Sequence, residues 1–220
     1  TTDASGGDTG GEFTMQPPAG YKAWTTKNLT ASIAKPSAHF DTLTYTANDT
    51  AGHSLTGLGH QPDLLWAKER NATAHHVLLD SVRTASAGRL SSNRTNVEDA
   101  TTALASFDAD GFTVGSSAAY INSGSTNYVA WSWKAGTSFD AGGGSGTGSK
   151  NVDAGFSIAK WTGDDDGMGF SASPQAITHG LGVTPEMIIA KNRTANSSTS
   201  GDWAVWHKDL SSGSYLVLNS

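Results

Sequence analysis

The 220-residue sequence contains no cysteine, and charged residues make up only 15% of it. Without cysteine there is no disulfide framework and no thiolate metal site, and the redox compartment is left undetermined. The charged fraction lies well below the usual quarter, with 14 Lys and Arg against 20 Asp and Glu for a formal net charge of -6. No basic run occurs, so the clustered cations that grip a phosphate backbone are missing and a nucleic-acid partner is not expected. No apolar run approaches the roughly 18–20 residues of a membrane span, which argues against membrane insertion, and no signal-peptide pattern opens the sequence. Glutamate is confined to Glu12, Glu69, Glu98 and Glu186, too few to signal the paired carboxylates that a glycosidase sets about 5–10 Å apart. The serines sit in no GxSxG elbow. Together these absences predict a protein that is not an enzyme and carries no cofactor.

What is present is glycine, 26 residues of it, with abundant Thr, Ser, Ala and Asn. Short apolar or alternating runs bounded by turn residues predict strands at Leu43–Thr46, Leu64–Lys68, His76–Asp80, Phe112–Gly115, Tyr128–Lys134, Phe156–Thr162, Met187–Lys191, Trp203–Lys208 and Tyr215–Leu218. One stretch, Asn96–Phe107, offers a helix turn. In Tyr128–Lys134, strict alternation puts Val129, Trp131 and Trp133 on one face, expected to be the buried one, and Tyr128, Ala130 and Ser132 on the other. The expected fold is all-β, built of β-sandwich units of jelly-roll type.

Those units repeat. "GLGHQPDLLWAKER" at Gly57–Arg70 returns as "GLGVTPEMIIAKNR" at Gly180–Arg193, identical at 7 of 14 positions. The match extends upstream, Phe40 facing Phe156 and Tyr45 facing Trp161, and downstream, His76 facing Trp203 and Asn93 facing Asn219. Internal repetition takes precedence over any other reading of organisation. The predicted layout is a linker and the tail of an upstream region over 1–36, a first unit over 37–140, a flexible Gly/Ser linker over 141–154 and an incomplete second unit over 155–220. The stretch 163–179, where the second unit carries extra residues, reads as a hairpin loop. The opening "TTDASGGDTGGEF" reads as an internal linker, so the native chain is expected to start upstream.

Each candidate for chemistry has a structural rival. His75 and His76 are adjacent and on a strand would face opposite ways; His76 also faces a tryptophan in the repeat, so packing is the better reading. His60, His179 and His207 form no i, i+4 pair of the zinc-protease kind, and no metal site is expected. "DADG" at Asp108–Gly111 and "DDDG" at Asp164–Gly167 raise calcium, but neither continues to a twelfth-position glutamate, and Asp and Gly are default turn residues. Six NxS/T sequons, at Asn28, Asn48, Asn71, Asn93, Asn192 and Asn196, are what chance supplies in so amide-rich a chain. Among seven tryptophans, Trp131, Trp133 and Trp161 are expected to be buried. Trp203 and Trp206 fall on opposite strand faces, so one leans outward, Trp206 being the better exposed candidate, and Trp203, Trp206 and Tyr215 are the candidate contacts with a glycan or a neighbouring subunit.

The order "FD…YT…GLG…PDLLWAK.R…HHVLLDSVR…LSSN…FDADGFTVGS…YVAWSWKAG", followed by "AGFSIAKWTG…HGLG…PEMIIAKNR…WAVWHK", resembles a family of tandem β-domains of uncharacterised role in virion proteins of tailed bacteriophages. Residues 17–29, "PPAGYKAWTTKNL", resemble the end of a SPRY-like domain. The resemblance implies a tail fibre, tailspike or capsid fibre of a phage particle, made in the host cytoplasm. Other virion proteins and further copies of the chain would be its partners, and host surface glycan is the alternative one. It transfers no catalytic or binding residue. The incomplete second unit lacks a counterpart of Phe107–Gly136, so Trp203–Leu218 is expected to pack against another copy or another virion protein.

Overall fold

A computed structural model describes residues 33–100, 103–115, 120–163, 175–194 and 201–220. Lys35–Ser220 forms one compact unit, and the fold is all-β. After a 3-10 turn at Pro36–Ala38 come thirteen strands among the described residues. They are β1 (Phe40–Thr46), β2 (Ser54–Thr56), β3 (Leu64–Glu69), β4 (Val77–Asp80), β5 (Leu104–Asp108), β6 (Gly111–Val114), β7 (Asn127–Trp133), β8 (Thr137–Gly142), β9 (Gly146–Asn151), β10 (Phe156–Lys160), β11 (Met187–Lys191), β12 (Trp203–His207) and β13 (Leu216–Val217). All pairings are antiparallel, in sheets of order β1-β7-β3-β4, β2-β6-β5, β10-β9-β8 and β11-β12-β13.

The first two sheets close on each other as a sandwich. Leu65, Ala67, Val77, Leu79 and Ala130 face Leu55, Leu104, Phe112 and Val114 across one buried cluster, flanked by Leu43 and Tyr45. Tyr45 stacks on Tyr128 with ring centroids 5.3 Å apart and donates its hydroxyl to the Ile121 carbonyl, which keeps a large polar ring inside without an unmet hydrogen bond.

Strand β7 buries the face opposite to the expected one. Tyr128, Ala130 and Ser132 are buried, while Val129, Trp131 and Trp133 are half-buried on the outside. Period two states which residues share a face, not which face is covered, and the small Ala130 and Ser132 are what a closely stacked second sheet requires. The outer tryptophans are sheltered by neighbours: Trp131 lies opposite both Thr42 and Trp66, and the Trp133 ring lies 4.9 Å from Phe40 and 6.2 Å from Phe156.

Two further expectations are corrected. The helix turn over Asn96–Phe107 gives way to β5, which forms a tight hairpin with β6 through the pairs Phe107↔Phe112 and Asp108↔Gly111. The region 141–154, expected to be a flexible linker, contains the end of β8, all of β9 and the turn between them. Its glycines serve close approach, not slack: a Cβ on Gly148 would collide with the Phe139 ring and press on the Ile158 carbonyl. Phe139, the cross-strand partner of Gly148, covers the space that a glycine leaves open.

The quoted repeat folds alike in both places. Gly57 and Gly180 both take positive φ, 106° and 73°, a conformation that glycine adopts at no steric cost, and each leads into a strand, β3 or β11. The β3–β4 register, Leu64↔Asp80, reappears as Met187↔His207 in β11–β12. Side chains are copied as well. The Asn93 amide oxygen accepts from the His76 N–H at 3.2 Å, and that of Asn219 accepts from the Trp203 N–H at 2.7 Å. The amide nitrogens donate to His75 and Asp202. The bridge Leu78↔Leu90 has its equivalent in Val205↔Leu216.

The reversed face of β7 generates a prediction. Ala130→Leu overpacks the sandwich and costs about 1–3 kcal/mol, whereas Val129→Thr on the half-buried face stays near the ±0.5 kcal/mol of a surface change. Urea unfolding of the two variants checks the order.

Candidate functional site

The segment from Ser81 to Asp99 is where residues of the first repeat meet those of the second. It is organised by Arg83, whose side chain is almost wholly buried. Its Nε donates to Asp80 at 2.6 Å, Nη1 to the Gly88 carbonyl at 2.8 Å and Nη2 to the Leu78 carbonyl at 3.1 Å, while Glu98 lies 3.2 Å from Nη1. A planar fork of donors suits such a site, and a single ammonium would not. The sequence places Asp80 three residues before Arg83 at the end of β4, close enough for the Asp80 carboxylate also to cap the Arg83 N–H.

Four groups from the later part of the chain dock on this segment. Lys160 donates to the Val82 carbonyl, Lys191 to the Thr95 carbonyl, the Trp203 indole to the Ser91 carbonyl at 2.9 Å, and Arg193 to Glu98 at 2.5 Å. Trp203 is 5% exposed and packs with Leu78, Leu90 and Trp66. Its assignment as a glycan or subunit contact is therefore corrected: the first repeat of the same chain covers it, and the indole N–H is already engaged. Trp206 on β12 and Tyr215 before β13 are exposed. Tyr215 precedes Leu216, the partner of Val205, so the two aromatics fall at neighbouring positions at the open end of the β12–β13 pair.

Trp161, expected to be buried like its counterpart Tyr45, is exposed. It lines a polar recess of ≈ 240 Å³ with Arg83, Ser145, Lys160, Thr162 and Arg193. An indole beside hydroxyls and cations is a set that can stack on a sugar ring and hold its hydroxyl or carboxylate oxygens. The cations are not idle, since Glu98 engages both Arg83 and Arg193. Sequence reasoning had no route to this recess, because its residues come from positions 83, 145, 160–162 and 193.

The histidines are hydrogen-bonded to other groups of the chain. His76 accepts the Trp66 indole N–H at 2.8 Å on Nδ1; burial, then the nearby Lys68, push its pKa below the usual imidazole value. His75 is exposed and accepts from Asn93. His60 and Ser132 form a serine–histidine contact that the sequence does not advertise: His60 Nδ1 donates to the Ser37 carbonyl, and Nε2 lies 3.1 Å from the Ser132 hydroxyl, which also reaches the Asp41 carbonyl. Ser132 is completely buried, out of reach of any substrate, and burial lowers the His60 pKa. Both Asp108 oxygens accept hydroxyls, from Ser106 and Thr113, so the "DADG" carboxylate serves its hairpin. "DDDG" lies outside the described residues. Among the described residues no group of three or more His, Cys, Asp or Glu is placed to share a metal ion.

Fold and geometry define an all-β protein, a sandwich carrying two further antiparallel sheets. The chain belongs to the family named Domain of unknown function (DUF7483), whose model matches residues 35–220, the span of the compact unit. No curated protein and no solved structure matches the chain.

Two predictions arise here. Trp203→Ala empties a buried site and breaks the bond to Ser91, at a cost of about 3–5 kcal/mol, while Trp206→Ala costs under about 1 kcal/mol; denaturant midpoints separate them. The second concerns acid. With the His60 pKa lowered by burial, the unfolded chain takes up a proton below pH ~6.5 that the folded chain refuses, so stability is whole above that value and falls as the pH drops toward the folded pKa. His60→Gln should lose less stability than the parent between pH 7.5 and 5.5, as read by urea titration at each pH.

Proposed function

We propose that the chain is a non-enzymatic structural segment of a tailed-phage virion, part of a tail fibre, tailspike or capsid fibre that serves assembly and display. The observation that carries this reading is the duplicated hairpin, copied with its register and its asparagine bonds. A scaffold element is extended by copying, and a chain that repeats a structural unit gains reach without a new fold. The interior supports the same reading: its serine–histidine contact is sealed, and its carboxylates bind hydroxyls, amides and guanidinium groups of the chain itself. Tandem sandwich units of jelly-roll type, association with other virion proteins and self-assembly belong to this proposal. So does the resemblance to phage β-domains on which it rests.

A second reading, a lectin-like module for host surface glycan, draws support from exposed aromatics, namely Trp161 at its polar recess and the Trp206–Tyr215 pair. Quantitative mass spectrometry of gradient-purified particles from the organism that encodes the chain tests the first reading: the chain should band with the particles in fixed proportion to the capsid protein. Recovery only outside the particle fraction overturns it. A glycan array with the parent, Trp161→Ala and Trp206→Ala tests the second, which needs a signal that at least one variant abolishes.

A further inference from the structure

The two hairpins are built alike but covered differently. In β3–β4 the inward residues Leu65 and Leu79 are 1% and 3% exposed; at the same register positions of β11–β12, Ile188 and Trp206 are 46% and 36% exposed. The edges differ too. β3 is bonded to β7 along its length, from Leu64↔Trp133 to Glu69↔Tyr128, whereas among the described residues β11 is the last strand of its sheet. Its edge carries Met187, Ile188 and Ile189, all exposed, with no charge to discourage pairing until Lys191. A bare edge beside a bare apolar face is the arrangement that natural sheets avoid or use for binding.

The occupant can be read from the first hairpin, where residues 104–133 supply the edge strand and, beside Leu55 and Leu58, most of the apolar cover. There β5–β6 lays Leu104, Phe112 and Val114 over the inward face, and β7 adds a strand at the edge, turning Tyr128, Ala130 and Ser132 inward. Those residues are committed to the first sandwich. A second copy of the chain could lend them only by uncovering its own core.

We infer that the Ile188–Trp206 face and the free edge of β11 form a docking site for a polypeptide segment with the pattern of residues 104–133. That pattern is a tight hairpin with large apolar residues at its inward positions, followed by a strand with small inward side chains. The segment comes from a partner chain, adds a strand antiparallel to β11 and closes over the face. This is strand addition, in which the main chain supplies affinity and alternate side chains supply selectivity. The inference rests on the equivalence of the two hairpins and holds whether or not the chain belongs to a virion.

The test is hydrogen exchange, read by mass spectrometry on the 220-residue chain with a synthetic peptide of residues 103–136. At saturating peptide, exchange in Met187–Lys191 should slow tenfold or more, and a peptide with Phe112→Asp and Ala130→Asp should have no effect. A variant with a second copy of residues 94–136 placed directly after Ser220 gives the same readout independently of peptide solubility. The inference is overturned if neither format slows exchange in β11, or if β11 in the chain alone is already as protected as β3. It is also overturned if protection rises with the concentration of the chain alone, which would make a second copy the occupant.

Discussion

A guanidinium that has left water must find an acceptor for its donors, because an unpaired charge in the interior costs far more than any one contact returns. Arg83 is in that position, and meeting its needs fixes the Ser81–Asp99 segment. The carbonyls of Leu78 and Gly88 and the carboxylates of Asp80 and Glu98 are drawn round one side chain. Once that segment is set, the carbonyls it presents outward, those of Val82, Ser91 and Thr95, become the seats for Lys160, Trp203 and Lys191. Glu98 completes the relay by holding Arg83 on one side and Arg193 on the other. The junction between the repeats is thus a by-product of satisfying one buried cation.

The same economy runs through a chain poor in charge. Asn122 is fully buried, donates to Asn48 and the Thr50 carbonyl and accepts from the Asn48 N–H, so one amide pins a whole loop. Asp63, also buried, joins three strands: it accepts the Ser81 hydroxyl and the Ala135 N–H, beyond the ends of β4 and β7. Buried polar groups of this kind tolerate little rearrangement, since loosening one leaves its partners unmet. That is a physical reason for the Asn, Ser and Thr content that the sequence displays.

Much of this was legible in the residues, and the exceptions share a cause. Strand positions and the repeat are local patterns, and both hairpins lie where alternation and the GLG phrase put them. What alternation cannot convey is the far side of the sheet. Alternation grouped Val129, Trp131 and Trp133 on one face, expected to be the buried one, yet the inner face went to Ala130 and Ser132 because another sheet lies over them. Gly148 reads as slack until Phe139 is seen across from it. Trp203 and Trp206 were separable as one inward and one outward residue, Trp206 the outward one, but what covers Trp203, Leu78 and Leu90, lies more than 100 positions earlier in the chain. The recess around Trp161 and the contact between His60 and Ser132 are likewise assembled by tertiary closure alone.

The pairing of β1 with β7 has a mechanical consequence. The chain enters β1 at Phe40 and leaves β7 at Trp133, and these two residues are register partners, so both leads emerge at the same end of an antiparallel pair. Tension between them would unzip the ladder rung by rung, not shear all seven rungs at once, and the load would fall first on the Phe40–Trp133 rung. That rung is reinforced. The Lys134 N–H donates to the His39 carbonyl just outside it, the Asn151 amide reaches both the His39 ring and the Lys134 carbonyl, and the Phe40, Trp133 and Phe156 rings pack across it. The sandwich therefore carries added stitching at the rung where a pull on the chain would begin to open it.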